Sequence, residues 1–269
     1  MNILLAVGSI LYASSALCFA GLQDNIAQSY LDSGREKARQ GDLPAAIAYF
    51  SEAIRLNPGD SAAYCDRSAA ELREGDFDRA IADCNEAIRL DPRTPMAYCN
   101  RGVAKGEKAD YNGAIADLTE AIRLEPTYPG AYSNRALAKQ RKGDMDGAVA
   151  DFTEAIRLNP REASIYANRA GAKVAMGDYD GGIADYTEAI RLGPTLAAAY
   201  CDRGSAEVAK GNYRATIADE TEAIRLKPSF ADAYVVRAAA KEKIGDHLGA
   251  VADQNQAVRL MRLARDAAR

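Results

Sequence analysis

The chain is 269 residues long, 48% hydrophobic and 27% charged, with a formal net charge of −4; this is apolar enough for a sizeable core and excludes disorder by composition. Aromatic residues make up only 7%, with no Trp, while Ala and Leu abound, a balance that favours closely packed helices over sheets. The slight acidic excess and the lack of any Lys/Arg-rich run leave no electrostatic footprint for nucleic acid, so none is expected as a partner.

From Asn2 to Gln23 no side chain is charged, and Cys18 and Ala20 supply small residues at the two places a signal peptidase reads. Residues 1–20 therefore read as an export signal and 21–26 as a linker, so that the protein would be periplasmic or secreted. The rival reading is an uncleaved membrane anchor, because Ile3 to Leu22 approaches the ~20 residues that span a bilayer. On either reading the rest of the chain lies outside the cytoplasm, and only this segment could touch a membrane.

Beyond it the sequence repeats. The tetrapeptides RLNP, RLDP, RLEP, RLNP, RLGP and RLKP end at Pro58, Pro92, Pro126, Pro160, Pro194 and Pro228, each 34 residues after the last. A proline at that period ends a helix that cannot run through it. Seven repeats follow, at 27–60, 61–94, 95–128, 129–162, 163–196, 197–230 and 231–264, with a tail at 265–269. Within a repeat the period is helical: Ala148, Val149, Phe152, Ala155 and Ile156 form one apolar stripe. Midway, pairs such as Gly41-Asp42, Gly75-Asp76 and Gly177-Asp178 supply a residue tolerant of positive φ and then a helix N-cap. Each repeat is thus helix, turn, helix, and Gly102 with Ala114, or Gly204 with Ala223, marks where two helices cross closely. A single hairpin cannot cover its apolar face; stacked hairpins can. In the last repeat Gln254, Asn255, Gln256 and Arg262 break the pattern, and the last helix is expected to continue through Arg265 as a polar cap, or alternatively as an oligomer contact.

The repeat with Tyr98, Gly102, Tyr111, Ala114, Ala121 and Pro126 resembles the tetratricopeptide repeat family. The resemblance implies an all-α, right-handed α-solenoid of seven 34-residue helix-turn-helix repeats, and a protein or peptide partner held in a concave groove lined by the first helices. Departures from the family pattern are Glu220 and Gln254 at a place normally apolar, and Thr216 where Ala is usual.

The residues themselves supply a polar file at the sixth place of each repeat: Asp32, Asp66, Asn100, Asn134, Asn168 and Asp202, ending in Val236. Asn both donates and accepts, so such a ladder could grip the main chain of an extended peptide; equally, it could stabilise the turn region between adjacent hairpins or simply keep the groove wet. The candidate groove is Asp66, Asn100, Asn134, Asn168 and Asp202 with Arg73 and Arg141. Arginines (Arg39, Arg73, Arg141) flank the early repeats and Val174, Ala175, Val208 and Ala209 the later ones, which suits a partner acidic at one end and apolar at the other. The arginine following each ladder residue (Arg67, Arg101, Arg135, Arg169, Arg203, Arg237) and the aspartate file Asp83, Asp117, Asp151, Asp185, Asp219 and Asp253 are expected to pair structurally, and the tyrosine file from Tyr30 to Tyr234 to pack in the core.

Catalysis needs unlike residues that converge, whereas this chain repeats the same types. The sole histidine, His247, occupies a turn place held elsewhere by Phe77, Tyr111 or Tyr179, and Glu220 is expected to reach out to solvent. The five cysteines lack CxxC spacing, and Cys65 and Cys99, one period apart, exceed the reach of a disulfide; they read as small buried residues. The strings from Asp110 and Asp144 place Lys108 or Lys142 where a calcium loop needs its first ligand. No enzyme activity, metal or cofactor is expected. The two functional expectations are a partner-binding scaffold and an assembly module working through its terminal helices.

Overall fold

The computed structural model describes residues 22–267, all helices and turns among those residues; the export-signal or anchor reading of residues 1–20 lies outside them. The helices are α1 (22–40), α2 (Leu43–Leu56), α3 (Ser61–Glu74), α4 (Phe77–Leu90), α5 (Pro95–Glu107), α6 (Tyr111–Leu124), α7 (Pro129–Lys142), α8 (Met145–Leu158), α9 (Ala163–Ala175), α10 (Tyr179–Leu192), α11 (Ala197–Ala209), α12 (Tyr213–Leu226), α13 (Ala231–Lys243) and α14 (His247–Ala267). No described helix is long and apolar enough to cross a membrane. The chain forms two compact units, one up to Arg135 and one from Ala136, divided inside α7.

In the first unit α2 packs on α3, α3 on α4, α4 on α5 and α5 on α6, while α3 also touches α5, so successive first helices lie side by side. The second unit repeats this from α8 to α14, with α11 flanked by α9 and α13. The crossing points are built by size complementarity. A β-carbon on Gly34 would stand 2.5 Å from the Phe50 ring, and one on Gly102 2.7 Å from Leu118 Cγ. Phe50 and Leu118 are 1% exposed in consequence, and removing such a ring or isobutyl group costs on the order of 3–5 kcal/mol.

The turns follow the Gly-Asp reading. Gly41, Gly75, Gly143, Gly177, Gly211 and Gly245 all have φ between 79° and 93°, and Asp42, Asp76, Asp110, Asp144, Asp178 and Asp246 each accept a backbone N–H three residues on. The third hairpin departs from the pattern: Ala109 stands in the glycine place at φ 64°, a left-handed conformation that a β-carbon disfavours. Asn212 also differs, donating its Nδ2 to Glu207 Oε2 at 2.6 Å instead of capping α12.

The arginine and aspartate files do pair. Arg67, Arg101, Arg169, Arg203 and Arg237 each grip Asp83, Asp117, Asp185, Asp219 and Asp253 through Nε and Nη2, at 2.6 to 2.9 Å. The remaining Nη1 reaches back to the preceding hairpin, to Ser51, Asn85, Thr153, Thr187 and Thr221 respectively. Each of these guanidiniums also lies over the tyrosine three residues earlier, 5.5 to 5.8 Å from the ring centroid. One planar, five-donor group therefore sets both the angle within a hairpin and the register to its neighbour, a task a lysine could not repeat.

Two expectations are corrected. α14 does continue through Arg262 and Arg265, but its surface is not a polar cap: Leu248, Val251, Val258, Met261 and Leu263 are exposed. Val251 and Val258 continue the files Ile183, Ile217 and Ile190, Ile224, which are half-buried in their hairpins. Glu220 does not reach solvent. It is 0% exposed, takes the core place held by Phe50 and Leu118, and finds no hydrogen-bond partner for either oxygen beyond the adjacent Cys201 thiol.

Candidate partner-binding surface

The 34-residue period puts the sixth residue of every repeat on the same face of its first helix, two places after the packed tyrosine. In the first unit this file is knitted to the helix one hairpin back. Asp66 accepts Arg35 Nε at 2.7 Å; Asn100 Nδ2 donates to the Cys65 carbonyl at 3.2 Å and to Ser68 Oγ at 2.9 Å; Asn134 Nδ2 donates to Cys99 Sγ at 3.6 Å. All three side chains remain half-buried. Partial burial pushes the Asp66 carboxyl up, and the Arg35 guanidinium acts against that shift. In the second unit Asn168 is half-buried on α9 and Asp202 exposed on the adjacent α11. The donors of Asn100 and Asn134 are therefore engaged in holding neighbouring first helices together, rather than in the turn region named for them from sequence.

Of the two candidate arginines, Arg73 is exposed at the end of α3 and donates Nη1 to the Ala38 carbonyl at 2.8 Å. Arg141 is exposed on the second-unit part of α7. Arg39 pairs with Glu36 at 2.9 Å. On α9 and α11, Val174 and Val208 are half-buried and Ala175 and Ala209 exposed. Arg35 belongs with the first group, and sequence reasoning passed over it. Its signal was a broken period, since the equivalent places hold Ala69, Val103, Leu137, Gly171, Ser205 and Ala239.

A cavity of 440 Å³ opens between α1 and α3, lined by Arg35, Arg39 and Arg73 around Phe50. Several titratable groups outside it are buried in the hairpins. Burial, with the nearby Asp83 carboxylate, pushes Glu71 up to about 7, and burial pushes the Cys65 and Cys84 thiols up to about 12, leaving them poor nucleophiles. Cys65, Cys84, Cys99 and Cys201 are free and buried, as expected, while Cys18 lies outside the described residues. His247 Nδ1 lies 2.8 Å from Glu242 Oε1 at an exposed turn. Among the described residues no group of His, Cys, Asp or Glu is placed to hold a metal ion.

Comparison with known proteins agrees with this architecture. A family model described as tetratricopeptide repeat matches residues 31–95 and 133–197, and one described as TPR repeat matches 107–143. No curated protein matches the chain in sequence. Among solved structures, a chain of the APC/C hetero-tetramer Cut9-Hcn1 superposes with a TM-score of 0.73 at 21% identity, covering 82% of this chain but only 45% of that one. PilF of Pseudomonas aeruginosa gives 0.68 at 18% identity, covering 78% and 96%. YrrB, described as a TPR protein with an unusual peptide-binding site, gives 0.56 at 20% identity, covering 68% and 95%. At these identities the likeness is one of fold.

Proposed function

Because the chain belongs to the tetratricopeptide repeat family, whose fold is a protein-interaction scaffold, we propose that it binds a protein or peptide along the exposed face of its first helices and performs no covalent chemistry. The observation that carries this reading is the polar file on adjoining first helices: Asp66, Asn100 and Asn134 in the first unit, Asn168 and Asp202 in the second. With the Nδ2 groups of Asn100 and Asn134 bound to the neighbouring hairpin, their Oδ1 atoms are held in place to accept main-chain N–H groups of an extended segment. Arg73 and Arg141 add positive charge that an acidic partner would answer. A photo-crosslinking residue at Val103 or Ala239, on first helices, should trap the partner, and one at Ala218 on α12 should not. The reverse pattern would move the binding face to the second helices.

The exposed Val251 and Val258 favour a second reading, assembly through α14. Light scattering separates the two: a mass that rises with concentration, and falls in Val251→Lys/Val258→Lys, supports assembly. Export of the repeats remains part of the proposal, and N-terminal sequencing of the protein from its host would find Gly21 first if residues 1–20 are removed.

A further inference from the structure

The cavity between α1 and α3 differs from the gaps between the other first helices in its charge. Arg35 and Arg39 from α1 and Arg73 from α3 converge on it, and behind them Ala38 and Ala69 line it above the buried Phe50 ring. The ring itself is 1% exposed, closed off by the Gly34 backbone packed against it, so that Ala38 and Ala69 form the accessible apolar floor. In the gap between α3 and α5 the corresponding places hold Ala69, Arg73 and Glu107, and between α11 and α13 they hold Ser205, Ala209 and Lys243, so neither gathers three cations.

The three guanidiniums are not equally engaged. Arg35 is answered by Asp66 at 2.7 Å and Asp32 at 3.6 Å, and Arg39 by Glu36 at 2.9 Å. Arg73 has only the neutral carbonyl of Ala38. That single bond fixes its guanidinium at the mouth of the cavity while its charge stays uncompensated by any described carboxylate. A cavity of 440 Å³ falls in the range that takes a few side chains of a ligand. Its apolar floor selects an aliphatic group, and its rim selects an anion beside that group.

We infer that this cavity is a docking pocket for an acidic segment of a protein partner, in which a Glu or Asp side chain meets Arg73 and Arg39 while a neighbouring aliphatic side chain rests on Ala38 and Ala69. The inference rests on the reading of the first-helix face as the binding face and names the chemistry that one end of that face accepts. Arg73 is the specificity-determining residue, Arg39 the second cation, and Asp66 holds Arg35 out of competition for the incoming carboxylate.

The test uses a fluorescein-labelled octapeptide of alternating Glu and Leu, capped at its C-terminus as an amide, and its Gln/Leu counterpart, titrated against the full chain by fluorescence polarisation. The Glu/Leu peptide should bind at least tenfold more tightly than the Gln/Leu peptide, and weaken as salt rises from 50 to 300 mM. Arg73→Gln, at an exposed site, should cost tenfold or more and remove most of the salt dependence. Ala69→Leu, which fills the cavity with the side chain that Leu137 already carries at the equivalent place, should weaken both peptides. Equal binding of the two peptides, or an unchanged affinity in Arg73→Gln with the same thermal unfolding as the parent, overturns the pocket. So does binding that requires an uncapped C-terminus. Should crosslinking at Val103 and Ala239 still trap a partner while the Glu/Leu peptide fails to bind, the pocket assignment falls and the groove reading stands.

Discussion

Glu220 fills the space that Gly204 leaves open: a β-carbon on Gly204 would stand 2.5 Å from Glu220 Oε1. The same pairing recurs as Gly34 with Phe50 and Gly102 with Leu118, so a carboxyl stands where those two hairpins bury a hydrocarbon. Beyond the adjacent Cys201 thiol its oxygens lack a hydrogen-bond partner, and Thr216, fully buried beside it, donates its hydroxyl to the Gly204 carbonyl at 3.1 Å rather than to the acid. Glu220→Leu copies the Gly102–Leu118 pair and should raise stability by about 2 kcal/mol or more at pH 8, measured by chemical denaturation. A loss of stability would show that the carboxyl has a favourable partner.

The same group gives the protein a pH dependence. Burial is the main cause that pushes Glu220 up to about 8; Asp219 and Asp202 add to it, while the Cys201 thiol and Arg237 oppose it. Glu71, likewise buried, is pushed up to about 7. Both groups titrate near 4.5 when unfolded, so the folded chain binds the extra protons and stability falls as pH rises from about 4.5 to about 8. The loss amounts to several kcal/mol, with roughly 8 kcal/mol as the upper bound set by the two shifts, and lowers the unfolding temperature by at least about 6 °C. Thermal scans from pH 5 to 9 should show it, and Glu220→Leu combined with Glu71→Leu should flatten it.

Glu71 occupies the place that Lys105, Lys173 and Lys241 take in other first helices, where each lysine bridges Asp117, Asp185 or Asp253 at 2.7 to 2.8 Å. In α3 a carboxyl faces Asp83 instead. Glu71→Lys should therefore complete a bridge to Asp83 and remove a buried unpaired oxygen, adding about 1–2 kcal/mol to stability. Calorimetry at pH 8 is the measurement, and the gain should shrink at pH 5, where Glu71 is protonated and neutral.

The arginine pairs should not be equal. Asp185 retains Lys173 at 2.8 Å if Arg169 is removed, whereas in the hairpin of Asp219 the place of that lysine holds Glu207, which accepts from Asn212, and Arg203 is the cation paired with Asp219. Arg203→Ala should cost about 1 kcal/mol more than Arg169→Ala, and the lysine variants should follow the same order because neither restores the two-bond grip. Equal losses would mean that the tyrosine stacking and the bond to the preceding hairpin outweigh the carboxylate.

Ala109 offers the simplest test of the turn geometry. At φ 64° it carries a conformational cost that glycine avoids, so Ala109→Gly should stabilise the third hairpin by about 1 kcal/mol. Hydrogen exchange of α5 and α6 amides would locate the gain.

Proline spacing and the Gly-Asp pairs carried the helices and turns because both act locally: a ring blocks a helix at a fixed place, and a caps-and-glycine turn needs nothing from the rest of the chain. The pairing of Arg101 with Asp117 was legible as two files in phase, although the third bond to Asn85 was not. Arg35 and the alanine floor of the cavity were invisible as a site, since one is a lone break in a period and Ala38 and Ala69 are small residues of the kind that recur throughout the chain. Glu220 was singled out as a departure but assigned to solvent, because sequence marks the place as apolar and says nothing of whether a flexible acid can escape it.

The sequence by itself determined the repeat, its helices, its turns and the family, because each rests on interactions a few residues apart or on one period copied seven times. Tertiary structure alone decided which polar groups are spent on packing and which are left to meet a partner. That choice depends on distances between neighbouring hairpins: Asn100 reaches the Cys65 carbonyl, Arg73 finds only a neutral one, and Glu220 is closed in by helices that leave it no route to water.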